Sequence, residues 1–300
     1  MNLQPIPIML TALGAMTALF SGYWLAALRR LRGEFPGAKD PALDVSVPTP
    51  EHVALGFATN FFDTLGIGAF ATTTAAFRFR KLLPDQLIPG TLNVGHCLPA
   101  ILQSFIFSVI IPVDALTMIL MVLASTLGAW LGAGIVSHWP KRRIQIGMGS
   151  ALLGAACLMF LGQMKWVPSG GVEIGLAGWK LLAAVMGHLL LGALMTLGIG
   201  LFAPCMIMLS LLGMNPKSVF PIMMTACAFL MPVGGMRFIR EQKLAPRVAI
   251  GLTLGGIPAV LVAAYLIKEL PLYTMRWVVI TVVVYTGTML LRSASKPQES

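Results

Sequence analysis

Thr64-Leu65-Gly66-Ile67-Gly68-Ala69-Phe70-Ala71 and Thr196-Leu197-Gly198-Ile199-Gly200-Leu201-Phe202-Ala203 are two copies of one pattern, 132 residues apart. The register holds beyond them: Pro84 falls on Pro216, Pro89 on Pro221 and Leu98 on Leu230. Between residues 62 and 98, 10 of 37 positions match their counterparts without a gap. The chain therefore reads as a tandem duplication, residues 51–163 and 179–292. An N-terminal helix with a polar loop (1–50) precedes it, a Gly/Pro-rich connector (164–178) joins the copies, and a polar tail (293–300) follows. Each copy of the pattern interrupts an apolar stretch. Glycine frees φ and offers no side chain, so a Gly-Ile-Gly triplet ends one helix and starts another.

The surroundings of these breaks are those of a membrane protein. Of the 300 residues, 57% are hydrophobic and 11% charged, with a mean hydropathy of +0.85. Soluble domains carry about a quarter charged residues. Nine apolar segments run over 5–28, 52–77, 87–110, 113–136, 144–163, 180–212, 219–238, 248–267 and 277–291. Most approach the ~20 residues that cross a hydrocarbon core. The first has no basic residue ahead of it and no small-residue cleavage site, so it reads as a retained span. The net charge of +10 does not point to nucleic acid, because the basic residues sit at the ends of apolar segments, where membrane proteins place cytoplasmic anchors. Cys97, Cys157, Cys205 and Cys227 lie inside apolar segments without CxxC or Cys/His metal spacing, and no metal or other cofactor is expected.

The basic residues also fix a topology. If every apolar segment crosses once, Lys and Arg split 12 to 9 between the two sides. If the two Gly-broken segments dip in and return, the split becomes 16 to 5. The positive-inside rule selects the second arrangement. It leaves three full crossings per copy, an odd number, so the copies are inverted. The expected fold is all-α: a polytopic helix bundle of two inverted repeats, each with a Gly-broken re-entrant segment, plus one extra N-terminal helix. The amino terminus lies outside and the carboxyl terminus in the cytoplasm.

A Gly-Ile-Gly break repeated in each half resembles the sulfite exporter (TauE/SafE, or TSUP) family. A second likeness is Leu127-Gly128-Ala129-Trp130-Leu131-Gly132-Ala133-Gly134 followed by Pro140-Lys141-Arg142-Arg143, similar to that family's small-residue helix ending in a basic turn. Leu254-Gly255-Gly256-Ile257-Pro258 echoes it in the second half. The resemblance covers residues 50–292. The first half departs from the family pattern, with Ala69 and Thr72-Thr73-Thr74 where a glycine cluster and a proline are usual; Pro204 in the second half fits. The resemblance implies a bacterial inner-membrane secondary transporter, an exporter of sulfite, a sulfonate or a related small anion. The implied partners are that anion and the lipid bilayer, with a homodimer as an option.

Candidate substrate-binding residues follow. Gly66, Gly68, Gly198 and Gly200 would start half-helices whose free N–H groups and positive dipole ends suit an anion. Small-residue packing explains an isolated pair as well; duplication favours a site. Thr72 and Thr73 after the first break, and Cys205 after the second, offer neutral donors, unless each bonds back to its own helix. Asn93, His96 and Gln103 share one face of the next helix, and Asn93 pairs in the repeat with Thr225; interhelical bonding is the alternative. Asp63, just before the first break, is a candidate for a coupling proton or sodium ion. Arg78 and Arg80 are expected to anchor a cytoplasmic helix end and raise local anion concentration. A different class of function, a transmembrane thiol or electron carrier, would use Cys205, but its repeat counterpart is Thr73. The sequence holds no nucleotide-binding loop and no His/carboxylate constellation of an enzyme. On this topology, single cysteines placed at 78–81 and at 141–143 should both resist labelling from outside intact cells; external labelling of one loop alone would restore nine simple crossings.

Overall fold

The computed structural model describes residues 5–65, 68–166, 171–198, 200–266 and 272–295. These residues form twelve α-helices and one 3-10 turn (Asp85–Leu87, ahead of α4), and no strand. Ahead of the duplication stands α1 (Pro5–Glu34). The first copy contains α2 (Pro50–Thr64), α3 (Ala69–Arg80), α4 (Ile88–Gly95), α5 (Cys97–Ile110), α6 (Ala115–Val136) and α7 (Lys141–Gln163). The second contains α8 (Gly178–Met195), α9 (Phe202–Leu211), α10 (Pro216–Arg240), α11 (Pro246–Leu266) and α12 (Leu272–Ser295). Among the described residues, seven helical runs are long and apolar enough to cross a membrane: α1, α4 with α5, α6, α7, α8, α10 and α11. At 15 residues, α2 spans only about 22 Å, short of a bilayer core.

Local chemistry sets the helix starts. Thr49 and His52 form a reciprocal cap on α2, with Pro50 where an N–H would have no partner. Asp114 accepts the Thr117 N–H at 2.8 Å to start α6, and Asn215 accepts the Lys217 N–H at 2.9 Å to start α10.

One sequence expectation is corrected here. Residues 87–110 form two helices, with the junction at His96. Pro99 is the cause: it has no N–H for the Gly95 carbonyl, and its ring crowds that oxygen. The freed carbonyl accepts the Thr253 hydroxyl of α11 at 2.8 Å. Asn93 therefore lies on α4, His96 at the junction and Gln103 on α5.

The copies pack by exchange. The first broken helix, α2, lies on α11 of the second copy, and α8 lies on α6 of the first; α7 meets α12, and α10 meets α4 and α5. Small residues make the exchanged contacts close. A Cβ at Gly56 would come 2.5 Å from the Leu252 carbonyl, and one at Gly132 would come 2.6 Å from that of Ala193. With lipid as apolar as the side chains, such close approach is what makes helix pairing favourable. Among the seven candidate spans α10 is the most buried, and α1 packs against it by setting Phe20 on Gly235.

Contacts at the helix ends tie distant segments together. Arg80, the last residue of α3, bonds Glu51 at the start of α2 at 2.8 Å, so the chain returns to where it set out. In the second copy, Gly171 N–H donates to Met214 O at 3.0 Å and Asn215 N–H to Glu173 O at 2.8 Å. The stretch before α8 thus lies beside the turn after α9. The Ala245 N–H, before α11, donates to the Thr91 hydroxyl of α4 at 2.9 Å.

Arg78 bonds both oxygens of Asp85 at 2.6 and 2.7 Å, and Gln145 of α7 donates to the same carboxylate at 2.7 Å. Asp85 is buried, so this cluster pins α3, α4 and α7 together. Because an unmatched buried charge costs about 3–5 kcal/mol, Asp85→Ala should sharply lower the melting temperature in detergent. Arg78→Met combined with Asp85→Leu should recover most of that loss; equal melting of the single and double variants would show that the pair does not stabilise the fold.

Candidate functional site: a cavity between two helix breaks

The two breaks face each other. A Cβ on Gly68 would lie 3.9 Å from the Phe202 ring, and one on Gly200 would lie 3.9 Å from the Phe70 Cβ. Gly68 corresponds to Gly200 in the repeat and Phe70 to Phe202, so the contacts are reciprocal. Between them is a small cavity, with room for about one water molecule. Its lining includes Asp63, Phe70, His96, Met195, Gly200, Phe202, Cys227 and Met231. Both copies contribute to it, and among the described residues no Lys or Arg does.

The breaks are not chemically equal. At the first, Gly68 has φ 88°, ψ 120° and precedes α3. Asp63 reaches across the gap, and its Oδ1 accepts the Ala69 N–H at 2.6 Å. A carboxylate thus already sits at the positive end of α3. At the second break Met195 takes the place of Asp63, and no side chain caps α9. Gly198, not Gly200, carries the positive φ, again 88°. Gly66, the counterpart of Gly198, lies outside the described residues.

Two histidines hold the residues that follow the breaks. The Asn60 amide donates to Gly56 O at 2.7 Å, so its oxygen faces His96 Nδ1, 3.1 Å away, and accepts from it. His96 Nε2 is then the acceptor for the Thr73 hydroxyl at 3.0 Å. In the second copy His188 Nδ1 donates to Ala184 O at 2.9 Å, which leaves Nε2 to accept the Cys205 thiol at 3.3 Å. Thr73 and Cys205 are repeat counterparts, and each spends its proton on a neutral imidazole. Neither is a free donor for an anion in this arrangement.

The other sequence candidates fall into separate places. Thr72 bonds back to Gly68 O and Ala69 O, the own-helix alternative. Thr225 lies 3.0 and 2.8 Å from the hydroxyls of Ser104 and Ser108, bridging α10 and α5. The Asn93 amide donates to Pro89 O at 2.9 Å; its buried oxygen has no partner among the described residues and lies near Gly234. Asn93 and Thr225 are absent from the cavity wall. Arg78 and Arg80 are engaged with Asp85 and Glu51, so their charges are matched locally. No group of three or more His, Cys, Asp or Glu side chains suited to a metal occurs among the described residues.

Asn60 and Gln103 are the polar residues whose roles the sequence under-read. The Gln103 amide donates to Asp63 Oδ2 and to the Thr64 hydroxyl, both at 2.9 Å, while its fully buried oxygen has no partner among the described residues. The signal for Asn60 was its spacing, three residues before Asp63 on a short apolar helix. The sulfur wall of Met195, Cys227 and Met231 carried no signal, since such residues fill most cores.

Compared with protein-family models, curated proteins and solved structures, the chain matches none of them.

The conformations at the breaks separate three glycines. Gly68→Ala and Gly198→Ala place a side chain at a φ that favours glycine and should each cost about 1–3 kcal/mol. Gly200→Ala has ordinary φ and open contact, so it should melt within about 0.5 kcal/mol of the parent. Thermal unfolding of the three purified variants would check this ranking; equal losses at Gly198 and Gly200 would contradict it.

Proposed function

We propose that the chain is a secondary transporter of a small anion, built as two inverted repeats around the cavity between their breaks. The observation that carries this reading is the reciprocal packing of Gly68 on Phe202 and Gly200 on Phe70. Duplicated helix breaks meeting at one buried point are the arrangement by which repeat-built transporters make a central site. The resemblance to the TauE/SafE family suggests sulfite, a sulfonate or a related anion, with export across a bacterial inner membrane.

Re-entrance of both broken segments is supported by the contacts at their ends. Arg80 beside Glu51, and Met214 beside Glu173, each join the entry of a broken pair to its exit. Single crossings would hold those ends about 30 Å apart on opposite faces. Inversion is supported by the exchange of α2 onto α11 and α8 onto α6. Together with the charge pattern of the loops, it favours an amino terminus outside and a carboxyl terminus in the cytoplasm.

The anion's place is the uncapped start of α9, since Asp63 already occupies the start of α3. The cavity is too small for a sulfonate, so the present conformation is closed, and Phe70, Met195, Phe202 and Met231 must part to admit one. The thiol-carrier alternative gains nothing from the geometry: Cys205 is bonded to His188 and Cys227 to Met195, and neither has the other as its partner.

Counterflow of labelled sulfite, thiosulfate and sulfoacetate in proteoliposomes tests the reading. The intact chain should exchange at least one of the three. Gly200→Leu, at a position whose backbone accepts a side chain, should abolish exchange while the protein stays monodisperse. Exchange of none by the intact chain, or full exchange by the variant, would remove the proposed site.

A further inference from the structure

The charges of the cavity place a condition on any anion that enters it. Among the described residues, Asp63 lines the space with no ion-pair partner, and no Lys or Arg lines it. Like charges brought together at low dielectric repel strongly. An anion can therefore share this space with Asp63 only if a positive ion arrives as well.

The neighbours of Asp63 decide which ion. A hard metal cation needs a shell of several oxygens. Asp63 instead faces donors: the Ala69 N–H at Oδ1 and the Gln103 amide N–H at Oδ2. Those hydrogens point where a metal would sit. A proton needs only one acceptor, and one is at hand. The Gln103 oxygen is fully buried without a partner among the described residues, on the amide that already touches Asp63. Turning that amide over exchanges its donor for its acceptor. A protonated Asp63 Oδ2–H can then donate to Gln103 Oε1, which gains a partner, while the amide N–H groups give up Asp63 and the Thr64 hydroxyl. The pair thus has two hydrogen-bond arrangements, one for each charge state of Asp63.

Resting on the transport reading above, we propose that the anion moves together with a proton carried by Asp63, and that the Gln103 amide is the positioning group that turns over with it. The proton comes from water on one side, binds Oδ2, cancels the carboxylate charge as the anion enters, and leaves with the anion on the other side. One proton per monovalent anion makes the step electroneutral. The other titratable groups near Asp63 are otherwise engaged. At the head of α5, His96 is held at both ring nitrogens by Asn60 and Thr73, with Cys97 beside it; on α10, Cys227 contacts Met195. Behind them Cys205 and His188 bond each other. From α3, Arg78 and Arg80 are bound to Asp85 and Glu51; from α11, Arg247 is bound to Asp44.

The test uses the full chain in sodium-free proteoliposomes with a pH dye in the lumen and the anions sulfite, thiosulfate and sulfoacetate. Under an inward proton gradient the intact chain should concentrate the exchanged anion and acidify the lumen, by about tenfold accumulation per pH unit for one proton per monovalent anion. Asp63→Asn keeps an oxygen for the Ala69 N–H; whatever exchange it shows should no longer respond to the proton gradient, with accumulation and acidification both lost. Gln103→Met should displace the pH profile of exchange, which a space-filling residue would leave in place. Anion uptake by the intact chain without lumen acidification, or only with sodium, overturns the proposal whatever the variants do. So does proton-driven accumulation that survives in Asp63→Asn, which would move the proton to His96. Absence of counterflow for all three anions overturns the transport reading itself, and this inference with it.

Discussion

Backbone groups at membrane depth have to find hydrogen-bond partners, because lipid supplies none. Each unusual feature of this chain follows from how that demand is met. At the first break, Asp63 satisfies the leading N–H of α3. At His96 the proline-freed carbonyl of Gly95 is taken by Thr253 from another helix. At the second break no side chain among the described residues steps in for α9. Two of the interruptions are closed by side chains; at the third the described residues supply no such cap. A duplicated sequence thus yields two breaks that are capped differently.

The same duplication distributes polar chemistry unevenly. The first copy holds Asn60, Asp63, His96 and Gln103 around the cavity; the second supplies Met195, Cys227 and Met231. A polar wall and a sulfur wall meet at the centre. Symmetric backbone with asymmetric side chains lets the packing scheme serve both halves while the charge-handling groups are concentrated in one.

The sequence disclosed the scaffold better than the site. Helix breaks, duplication and loop charges are carried by glycine, proline, lysine and arginine, whose effects are local or tied to the membrane surface. The breaks at 64–69 and 195–202 were legible for that reason. The partner of a polar side chain was not. Thr73 and Cys205 read as free donors until the histidines beside them came from 23 and 17 residues away in sequence. Arg78 and Arg80 read as anion-attracting charges until Asp85 and Glu51 were found against them. Pro99 did carry a readable signal for the break at His96, through its clash with the Gly95 carbonyl, but the apolar run around it hid the interruption.

One helix stands outside the duplication. Phe20 of α1 seats on Gly235 of α10, a position that is Gln103 in the other copy; α1 also touches α5 and α6 of the first copy, so it meets the two halves unequally. On the transport reading proposed above, two equivalent halves exchanging roles would make the two access states mirror images of equal free energy. A support that meets the halves unequally would remove that degeneracy. The resting population would then lean to one side of the membrane before any substrate arrives, by the difference in α1 docking between the two states.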